Sequence, residues 1–327
     1  MPIITKENFA FQKWIAFIGV LLFFVKLLAW YLTQSVAILT DMLESIVNVA
    51  SGFIGLYSLY LASIPKDRNH PYGHGKVEFV SAGIEGGLIT AAGILIIFEA
   101  VGHLKNPHPL QQLDKGMGLV LLTAIANYLL GFFAVKKGKK NKSLALIAAG
   151  KHLQSDTYTT IGIVLGLILI YFTDIIWLDA AVAIFFALVI IFTGYKILRE
   201  SLAGIMDEAD SNLLEDVVDI LQKNRKENWI DIHNFRIIKY GTTLHFDCHL
   251  TLPWYFDVRE AHQEIDQLED LVKARFGQDL ELFVHADACQ SYSCVLCQKK
   301  ECTQRARPFE QSIVWTVENI VENKKHQ

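Results

Sequence analysis

The sequence predicts an α-helical membrane domain with six transmembrane helices, followed by a smaller α+β domain on the cytoplasmic side. Six long apolar segments lie before residue 199, and the chain after residue 206 is richly charged. Of the 327 residues, 52% are hydrophobic and only 20% are charged, which is too apolar for an ordinary soluble protein. The predicted parts are a transmembrane domain over 1–206, a cytoplasmic domain over 207–288 and a Cys-rich tail over 289–327.

Each of the six apolar segments is long enough to cross a bilayer, which takes about 20 mostly apolar residues. The segments cover residues 14–33, 35–62, 77–102, 116–135, 143–172 and 176–198. The first has little positive charge before it and precedes five more spans, so we interpret it as a helix and not as a cleaved signal peptide. The composition excludes disordered, collagen-like and coiled-coil proteins, and a net charge of −4 gives no reason to expect nucleic-acid binding.

The distribution of Lys and Arg among the short loops predicts the orientation in the membrane. The loops after the second and fourth spans contain eight of these residues: Lys66, Arg68, Lys76, Lys136, Lys137, Lys139, Lys140 and Lys142. The loops on the opposite side contain two, Lys105 and Lys115. Because positively charged loops stay in the cytoplasm, we expect both termini there. The short loops and the lack of a targeting signal favour a bacterial plasma (inner) membrane.

The cytoplasmic domain is predicted from two periodicities. Residues 211–223 and 258–276 have helical periodicity, with Ser211 as the N-cap of the first helix. Strands are predicted at 231–241, 243–252 and 279–286, the first two joined by a turn at Gly241 and Thr242. The order α-β-β-α-β predicts a small ferredoxin-like sheet covered by helices.

Ionisable side chains inside membrane spans are costly and usually functional. In the second span Asp41, Glu44 and Asn48 are three and four residues apart, so they share one helix face. In the fifth span His152 and Asp156 share a face by the same rule. If the two faces meet, carboxylate, imidazole and amide groups surround one point, which suits a divalent cation. The alternative is a polar contact that only packs two helices together.

Other polar residues inside the spans are expected to be structural. Lys26 is expected to snorkel or to pair. Glu85, Glu99 and Asn127 fit interhelical hydrogen bonds or groups that neighbour a metal site.

Two further groups of residues have metal-ligand chemistry. In the loop KDRNHPYGHGK, residues Asp67, His70 and His74 can close on one ion in a short turn, and the alternative is a merely polar loop. In the cytoplasmic domain, histidines and aspartates recur on the predicted strands and the second helix, and their density favours metal binding. They are His233, His245, Asp247, His249, His262, His285 and Asp287.

All five cysteines follow residue 247, and four form the pattern C-x4-C-x2-C-x4-C at Cys289, Cys294, Cys297 and Cys302. An odd number of closely spaced cysteines makes a poor disulfide framework and fits a reducing compartment. Four thiolates at this spacing suit a structural Zn²⁺ ion. The alternatives are four free thiols in a disordered tail, or a redox C-x2-C, which here lacks the usual strand–helix context.

Together these features resemble the cation diffusion facilitator family. The resemblance is carried by the six spans, the segment HPYGHGKVE at 70–78, the H-x-x-x-D at 152–156 and the C-terminal α-β-β-α-β domain. It covers residues 10–288. It implies a homodimeric antiporter that exports Zn²⁺, or in some members Fe²⁺, Mn²⁺, Cd²⁺ or Co²⁺, from the cytoplasm against protons.

The resemblance also implies where metal binds. A tetrahedral transport site falls on Glu44, Asn48, His152 and Asp156. A second site falls on Asp67, His70 and His74, and the sites of the cytoplasmic dimer fall on His233, His249, His262, His285 and Asp287. An ion pair across the family's dimer falls on Lys76 and Asp207.

Glu44 and Asn48 depart from the family's pattern, in which zinc-transporting members usually have Asp or His at the first position and Asp at the second. The neutral amide removes one negative charge, and Asp41, one turn away, is the candidate to compensate. We expect a proton-coupled exporter of Zn²⁺, with Fe²⁺ or Mn²⁺ as the alternative substrate. A second alternative is a membrane-anchored metal sensor that does not transport. An enzyme is not expected, because the sequence has no nucleophile paired with a base and no phosphate-binding glycine loop.

Overall fold

A computed structural model describes residues 3–105, 110–140, 144–240, 243–277 and 280–326. Its first six helices are α1 (Ile3–Thr33), α2 (Val36–Ala62), α3 (Val77–Lys105), α4 (Leu113–Lys140), α5 (Leu144–Thr173) and α6 (Trp177–Ile205). Each contains a stretch of 24 to 29 residues that is long and apolar enough to cross a membrane. Large apolar side chains such as Phe98 and Phe172 stay exposed, as expected for helices surrounded by lipid. The six predicted spans are confirmed.

Two glycine pairs bring neighbouring helices of this unit into close contact. A Cβ atom placed on Gly131 of α4 would lie 2.7 Å from the carbonyl oxygen of Gly150 on α5, and the reverse contact is equally short. Gly86 of α3 and Gly194 of α6 oppose each other in the same way, at 2.9 Å. Small residues at such crossings let membrane helices approach closely. These contacts pair α4 with α5 and α3 with α6.

The beginning of α2 is held by a carboxylate from α6. Asp179 Oδ1 accepts a hydrogen bond from the Ser35 hydroxyl, and its Oδ2 accepts one from the Val36 backbone N–H, both at 2.6 Å. A carboxylate satisfies the free N–H groups of a helix start and complements its positive end. This contact fixes the position of α2, the helix that carries Glu44 and Asn48.

Segment 60–79 and residues 203–327 form a second compact unit. Its regular elements are α7 (Ser211–Lys223), β1 (Asp231–Tyr240), β2 (Thr243–Leu252), α8 (Val258–Phe276), β3 (Glu281–Ala288) and the short α9 (Val317–Ile320). The sheet order is β1-β2-β3, with β1 antiparallel and β3 parallel to β2. Phe246, Cys248 and Leu250 of β2 alternate into a core that also contains Trp229 and Leu268. The predicted α-β-β-α-β order is confirmed.

Three details differ from the sequence-based expectations. The third strand lies two residues later than predicted, because its register with β2 runs from His245–Glu281 to Leu252–Ala288. The N-cap of α7 is Asp210, not Ser211, because the Asp210 carboxylate accepts the Leu213 N–H at 3.1 Å. The predicted turn at Gly241 and Thr242 lies outside the described residues.

The chain after β3 packs onto the cytoplasmic domain. Trp315 and Ile320 belong to the same buried core as the sheet. The Arg225 guanidinium lies 4.1 Å from the centre of the Trp315 ring and donates a hydrogen bond to the Ile313 carbonyl at 2.7 Å. The Asn234 N–H donates to the Glu322 carbonyl at 2.8 Å. The described part of the tail is therefore an integral layer of this domain.

The cap of α7 gives a direct test of the local structure. Asp210→Ala should lower the stability of the cytoplasmic domain by about 1 kcal/mol, because an N–H of the first turn loses its acceptor. Ser211→Ala, the matched control, should change it by less than about 0.5 kcal/mol, because Ser211 is already inside the helix. Hydrogen exchange of the α7 amides in the full-length protein measures both effects. Equal losses in the two variants would rule out Asp210 as the cap.

Candidate metal centres

A polar cluster forms inside the transmembrane unit, where α2 faces α5. The Asn48 amide donates a hydrogen bond to Asp156 Oδ2 at 2.5 Å. His152 Nε2 lies 3.1 Å from Asn48 Oδ1 and 3.8 Å from Asp156 Oδ1. The four-residue spacing on α5 puts His152 and Asp156 on one helix face. Three of the four predicted transport ligands therefore converge in the structure.

Glu44 faces the same space one turn earlier on α2. It lines a cavity of about 100 Å³ together with Asn48, His152 and Glu85. A larger cavity of about 350 Å³ is lined by Asn48, His152 and Asp156. The His152 side chain is 45% exposed, whereas Asp156 is only 5% exposed. The cluster thus combines one deeply buried carboxylate with an imidazole that borders both cavities.

Asp41 does not join this cluster. Its Oδ1 lies 2.9 Å from the ammonium nitrogen of Lys26 and accepts the Thr160 hydroxyl at 2.6 Å. Lys26 and Asp41 are 2% and 1% exposed, so they form a buried ion pair between α1 and α2. Asp41 Oδ2 has no hydrogen-bond partner among the described residues. The Asp41 carboxylate therefore contacts Lys26 and Thr160 and not the proposed ligands directly, and its support of those ligands stays a prediction.

The loop between α2 and α3 forms a second cluster. One ligand atom from each of Asp67, His70 and His74 lies within 4.8 Å of the others. Asp67 Oδ1 accepts the backbone N–H groups of His70 at 2.7 Å and Asn69 at 2.8 Å, and these bonds hold the pKa of the Asp67 carboxyl below its ordinary value. The loop presents a deprotonated carboxylate beside two imidazoles, which is a donor set for a divalent cation.

A third cluster lies on the sheet of the cytoplasmic domain. One ligand atom from each of His233, His249 and Asp287 lies within 4.8 Å of the others. Strand register explains this arrangement. His233 is opposite His249 across β1 and β2, and Asp287 lies on β3, two residues beyond the position opposite His249. Burial opposes ionisation of Asp287, but hydrogen bonds from Lys325 and His249 outweigh it, and the pKa of the carboxyl is lowered.

Two further histidines predicted for this domain, His285 and His262, lie further out. The His285 ring is 4.6 Å from the His249 ring, and its Nε2 is 3.8 Å from Asp287 Oδ1, at the exposed edge of the cluster. His262 on α8 is 71% exposed and contacts Asp266 at 3.6 Å. Within one chain, the structure brings His285 to the cluster and leaves His262 outside it.

Sequence analysis missed the residues that surround this cluster at the end of the chain. The Lys325 ammonium lies 3.1 Å from Asp287 Oδ1. His326 Nδ1 lies 2.5 Å from Asp231 Oδ1, and the other oxygen of Asp231 is 3.4 Å from His233 Nδ1. Nothing in the spacing of the tail indicates that its last residues return to β1, so no sequence signal was available for them.

Lys76 and Asp207 form an ion pair within one chain. The Lys76 ammonium lies 2.8 Å from Asp207 Oδ2. Lys76 directly precedes α3, and Asp207 follows α6 in a left-handed conformation with a φ of 56°. The structure therefore satisfies these two charges locally, and their pairing across a dimer stays a prediction.

The cysteines of the tail border a common cavity. All four of the predicted cysteine ligands line a single cavity of about 420 Å³, and each is a free thiol: Cys289, Cys294, Cys297 and Cys302. The fifth cysteine, Cys248, is buried in the core, and burial raises the pKa of its thiol to about 12. Cys248 is therefore separate from the group in the tail.

Comparisons with known proteins match both parts of the chain. A sequence model of the cation efflux transmembrane domain matches residues 14–206, and one of the cytoplasmic domain of cation efflux proteins matches residues 209–289. An uncharacterised transporter of Synechocystis is 31% identical over 251 residues, which are 77% of this chain and 81% of that protein. The cation-efflux pump FieF of Yersinia pestis is 27% identical over 274 residues, 82% of this chain and 89% of the pump. The tail beyond residue 289 lies outside both domain matches.

Proposed function

The chain belongs to the cation diffusion facilitator family of cation efflux proteins, and from this premise we propose that it exports Zn²⁺ from the cytoplasm in exchange for protons. The observation that carries the proposal is the convergence of Asn48, His152 and Asp156 between α2 and α5, with Glu44 lining a cavity together with Asn48 and His152. These side chains supply two carboxylates, one imidazole and one amide oxygen. Four such donors suit the tetrahedral coordination that Zn²⁺ prefers.

The neutral amide of Asn48 favours a second candidate substrate. Carboxylate and carbonyl oxygens suit Mn²⁺, and Fe²⁺ also accepts mixed oxygen and nitrogen ligands. Zn²⁺ remains the first candidate substrate because of His152, since imidazole binds this metal well. Fe²⁺ or Mn²⁺ export is therefore the alternative, and Cd²⁺ and Co²⁺ are further substrates to compare.

Charge balance supplies the reason for proton exchange. Lys26 and Asp41 neutralise each other in their buried pair, so Glu44 and Asp156 contribute two negative charges to the site. One divalent cation balances these charges, and so do two protons. An uncompensated charge inside the membrane unit is costly. The site is therefore stable when it holds the metal ion or two protons, and unstable when it holds neither. Metal and protons then compete for the same lone pairs.

Alternating access follows from helix motion around this site. Rocking of helices about a midplane site exposes it to one side and then to the other, as in other secondary transporters. On the cytoplasmic side the metal binds the deprotonated ligands, and on the outer side protons displace it. The excess of Lys and Arg in the loops after α2 and α4 supports cytoplasmic termini and an inner, plasma-membrane location.

The cytoplasmic domain is proposed to act as a metal-sensing dimerisation domain. The cluster of His233, His249 and Asp287 supplies three ligands on one surface of the sheet. His262 and His285 are exposed and can complete coordination in a homodimer. Metal binding shifts the population toward one dimer arrangement only if that arrangement binds metal more tightly. A sensor that does not transport is the rival function, and it predicts metal binding by this domain without flux.

Asn48→Asp tests the substrate. The variant restores the carboxylate that zinc-transporting members of the family have at this position, so the preference for Zn²⁺ over Mn²⁺ and Fe²⁺ should rise about tenfold or more. The assay is competition between these metals for uptake into proteoliposomes. The matched control is Asn127→Asp, which adds the same charge to the wall of the larger cavity, outside the ligand set. An unchanged preference in Asn48→Asp, or an equal shift in both variants, would remove Asn48 from the site.

A further inference from the structure

The start of the tail helps to line a cavity, and three of the four cysteines there lie beyond the family match, which ends at residue 289. Cys289 directly follows β3, Cys294 lies in a 3-10 turn over Ser291–Val295, and Cys297 and Cys302 lie in the loop after it. All four side chains line one cavity of about 420 Å³. We infer that this cavity is a tetrathiolate site that binds one structural zinc ion and fastens the tail to the cytoplasmic domain.

Hydrogen-bond donors are aimed at three of the four sulfur atoms. The Trp254 N–H donates to Cys289 Sγ at 3.4 Å, and the Ala306 N–H donates to Cys294 Sγ at 3.4 Å. The Tyr255 hydroxyl donates to Cys302 Sγ at 3.6 Å. Thiols are weak acceptors, so repeated donors to sulfur gain most when the sulfur is a thiolate. Donors of this kind surround the ligands of metal sites and tune them.

Arg305 holds the loop around the cavity. Its guanidinium donates to the carbonyls of Cys294 at 2.9 Å, Cys297 at 3.1 Å and Lys299 at 2.6 Å. Arg305 and Lys299 also line the cavity. A zinc ion with four thiolates carries a net charge of −2, so two cations on the cavity wall complement the loaded site. The same side chain that closes the loop thus also balances the charge of the proposed site.

The sulfur chemistry selects the metal class. Soft thiolate ligands favour zinc over the hard cations Mg²⁺, Ca²⁺ and Mn²⁺. In a tetrahedral site with Zn–S distances of about 2.3 Å, the sulfur atoms are roughly 3.8 Å apart. Among the described residues, the cysteines are not one of the clusters that bring three ligand atoms within 4.8 Å. Zinc binding therefore requires the four cysteine side chains to move closer together.

Zinc binding by the four cysteines is expected to make the tail stiffer. The segment from Ser291 to Pro308 contains one 3-10 turn and little apolar material, with Leu296 as its buried hydrophobic anchor. Small irregular segments of this kind commonly depend on a metal for their order. Beyond it the chain reaches Trp315 in the core and Lys325 at Asp287. The zinc site is separate from the transport ligands, so its loss leaves the proposed export site intact.

Cobalt substitution in the reduced, full-length protein tests the inference. Co²⁺ bound by thiolates gives a near-ultraviolet sulfur-to-metal charge-transfer band, which histidine and carboxylate ligands do not give. We expect this band to saturate at one Co²⁺ per chain and to disappear when Zn²⁺ is added. It should be lost in the double variant Cys294→Ser/Cys297→Ser and kept in Cys248→Ser, the matched control outside the cavity. Absence of the band, or its persistence in the double variant, overturns the site.

Alkylation of the native chain gives a second readout that needs no variant. With Zn²⁺ bound, Cys289, Cys294, Cys297 and Cys302 should react at least about tenfold more slowly with iodoacetamide, because a metal-bound thiolate is held and shielded. Mass spectrometry identifies the labelled residues. Equal labelling of these four residues with and without Zn²⁺ would exclude a zinc site here.

Discussion

Asp156→Asn is expected to reduce metal transport by at least about 100-fold, because the site loses a ligand and half of its negative charge. Asp156 is the most deeply buried of the proposed ligands and contacts Asn48 at 2.5 Å. An asparagine has the same shape and can still exchange a hydrogen bond with the Asn48 amide, so the fold should survive. The remaining carboxylate, Glu44, cannot balance a divalent cation alone.

The matched control for this variant is Glu99→Gln. It removes one carboxylate from α3, but Glu99 is exposed and does not line either cavity at the site. Flux into proteoliposomes, followed with a metal-sensitive dye inside the vesicles, should be near the native rate for Glu99→Gln and close to background for Asp156→Asn. Native flux in Asp156→Asn would place the transport site elsewhere.

Lys26→Met is expected to destabilise the membrane unit by about 3–5 kcal/mol, because Asp41 then becomes a buried charge without a partner. Asp41 is 1% exposed, and one of its oxygens already lacks a hydrogen-bond partner among the described residues. The Thr160 hydroxyl alone does not replace an ammonium group. The loss should appear as a lower unfolding temperature of the protein in lipid or mild detergent.

The double variant Lys26→Met/Asp41→Leu tests whether the lost stability comes from leaving one charge of the pair unpaired. Replacing a whole buried ion pair by apolar residues is often neutral or stabilising, so most of the lost stability should return. A double variant that is as unstable as Lys26→Met would show that the unpaired Asp41 carboxylate is not the cause of the lost stability. This result also matters for charge balance, since Lys26 and Asp41 must neutralise each other if Glu44 and Asp156 are to set the charge of the cargo.

The features that could be predicted from the sequence are those that depend on a local pattern of residues. The six spans follow from the length of the apolar segments. Helical spacing puts Asn48 on the polar face of α2 and puts His152 and Asp156 together on one face of α5. Because side chains alternate between the two faces of a strand, His249 was predicted on one face of β2, and in the structure His233 and Asp287 cluster with it there. These features are decided within one helix or one strand, so the chain alone reveals them.

The remaining features depend on contacts between distant residues. Asp41 lies on the same face as Glu44, yet Lys26 from α1 captures its carboxylate, and spacing within α2 does not reveal that partner. The return of Lys325 to Asp287 depends on the docking of Trp315, which no periodicity in the tail indicates. Long-range pairing of charges was therefore the part that sequence analysis missed.

The central claim is that one site between α2 and α5 accepts either a metal ion or protons. The most direct measurement is Zn²⁺ flux into proteoliposomes that contain the native protein, with and without an imposed pH gradient, beside the same vesicles with Asp156→Asn. Protons moving outward should drive Zn²⁺ inward, collapse of the gradient with an ionophore should stop accumulation, and Asp156→Asn should abolish both fluxes. Zn²⁺ accumulation that is indifferent to the pH gradient, or a complete lack of metal flux in the native protein, would contradict it.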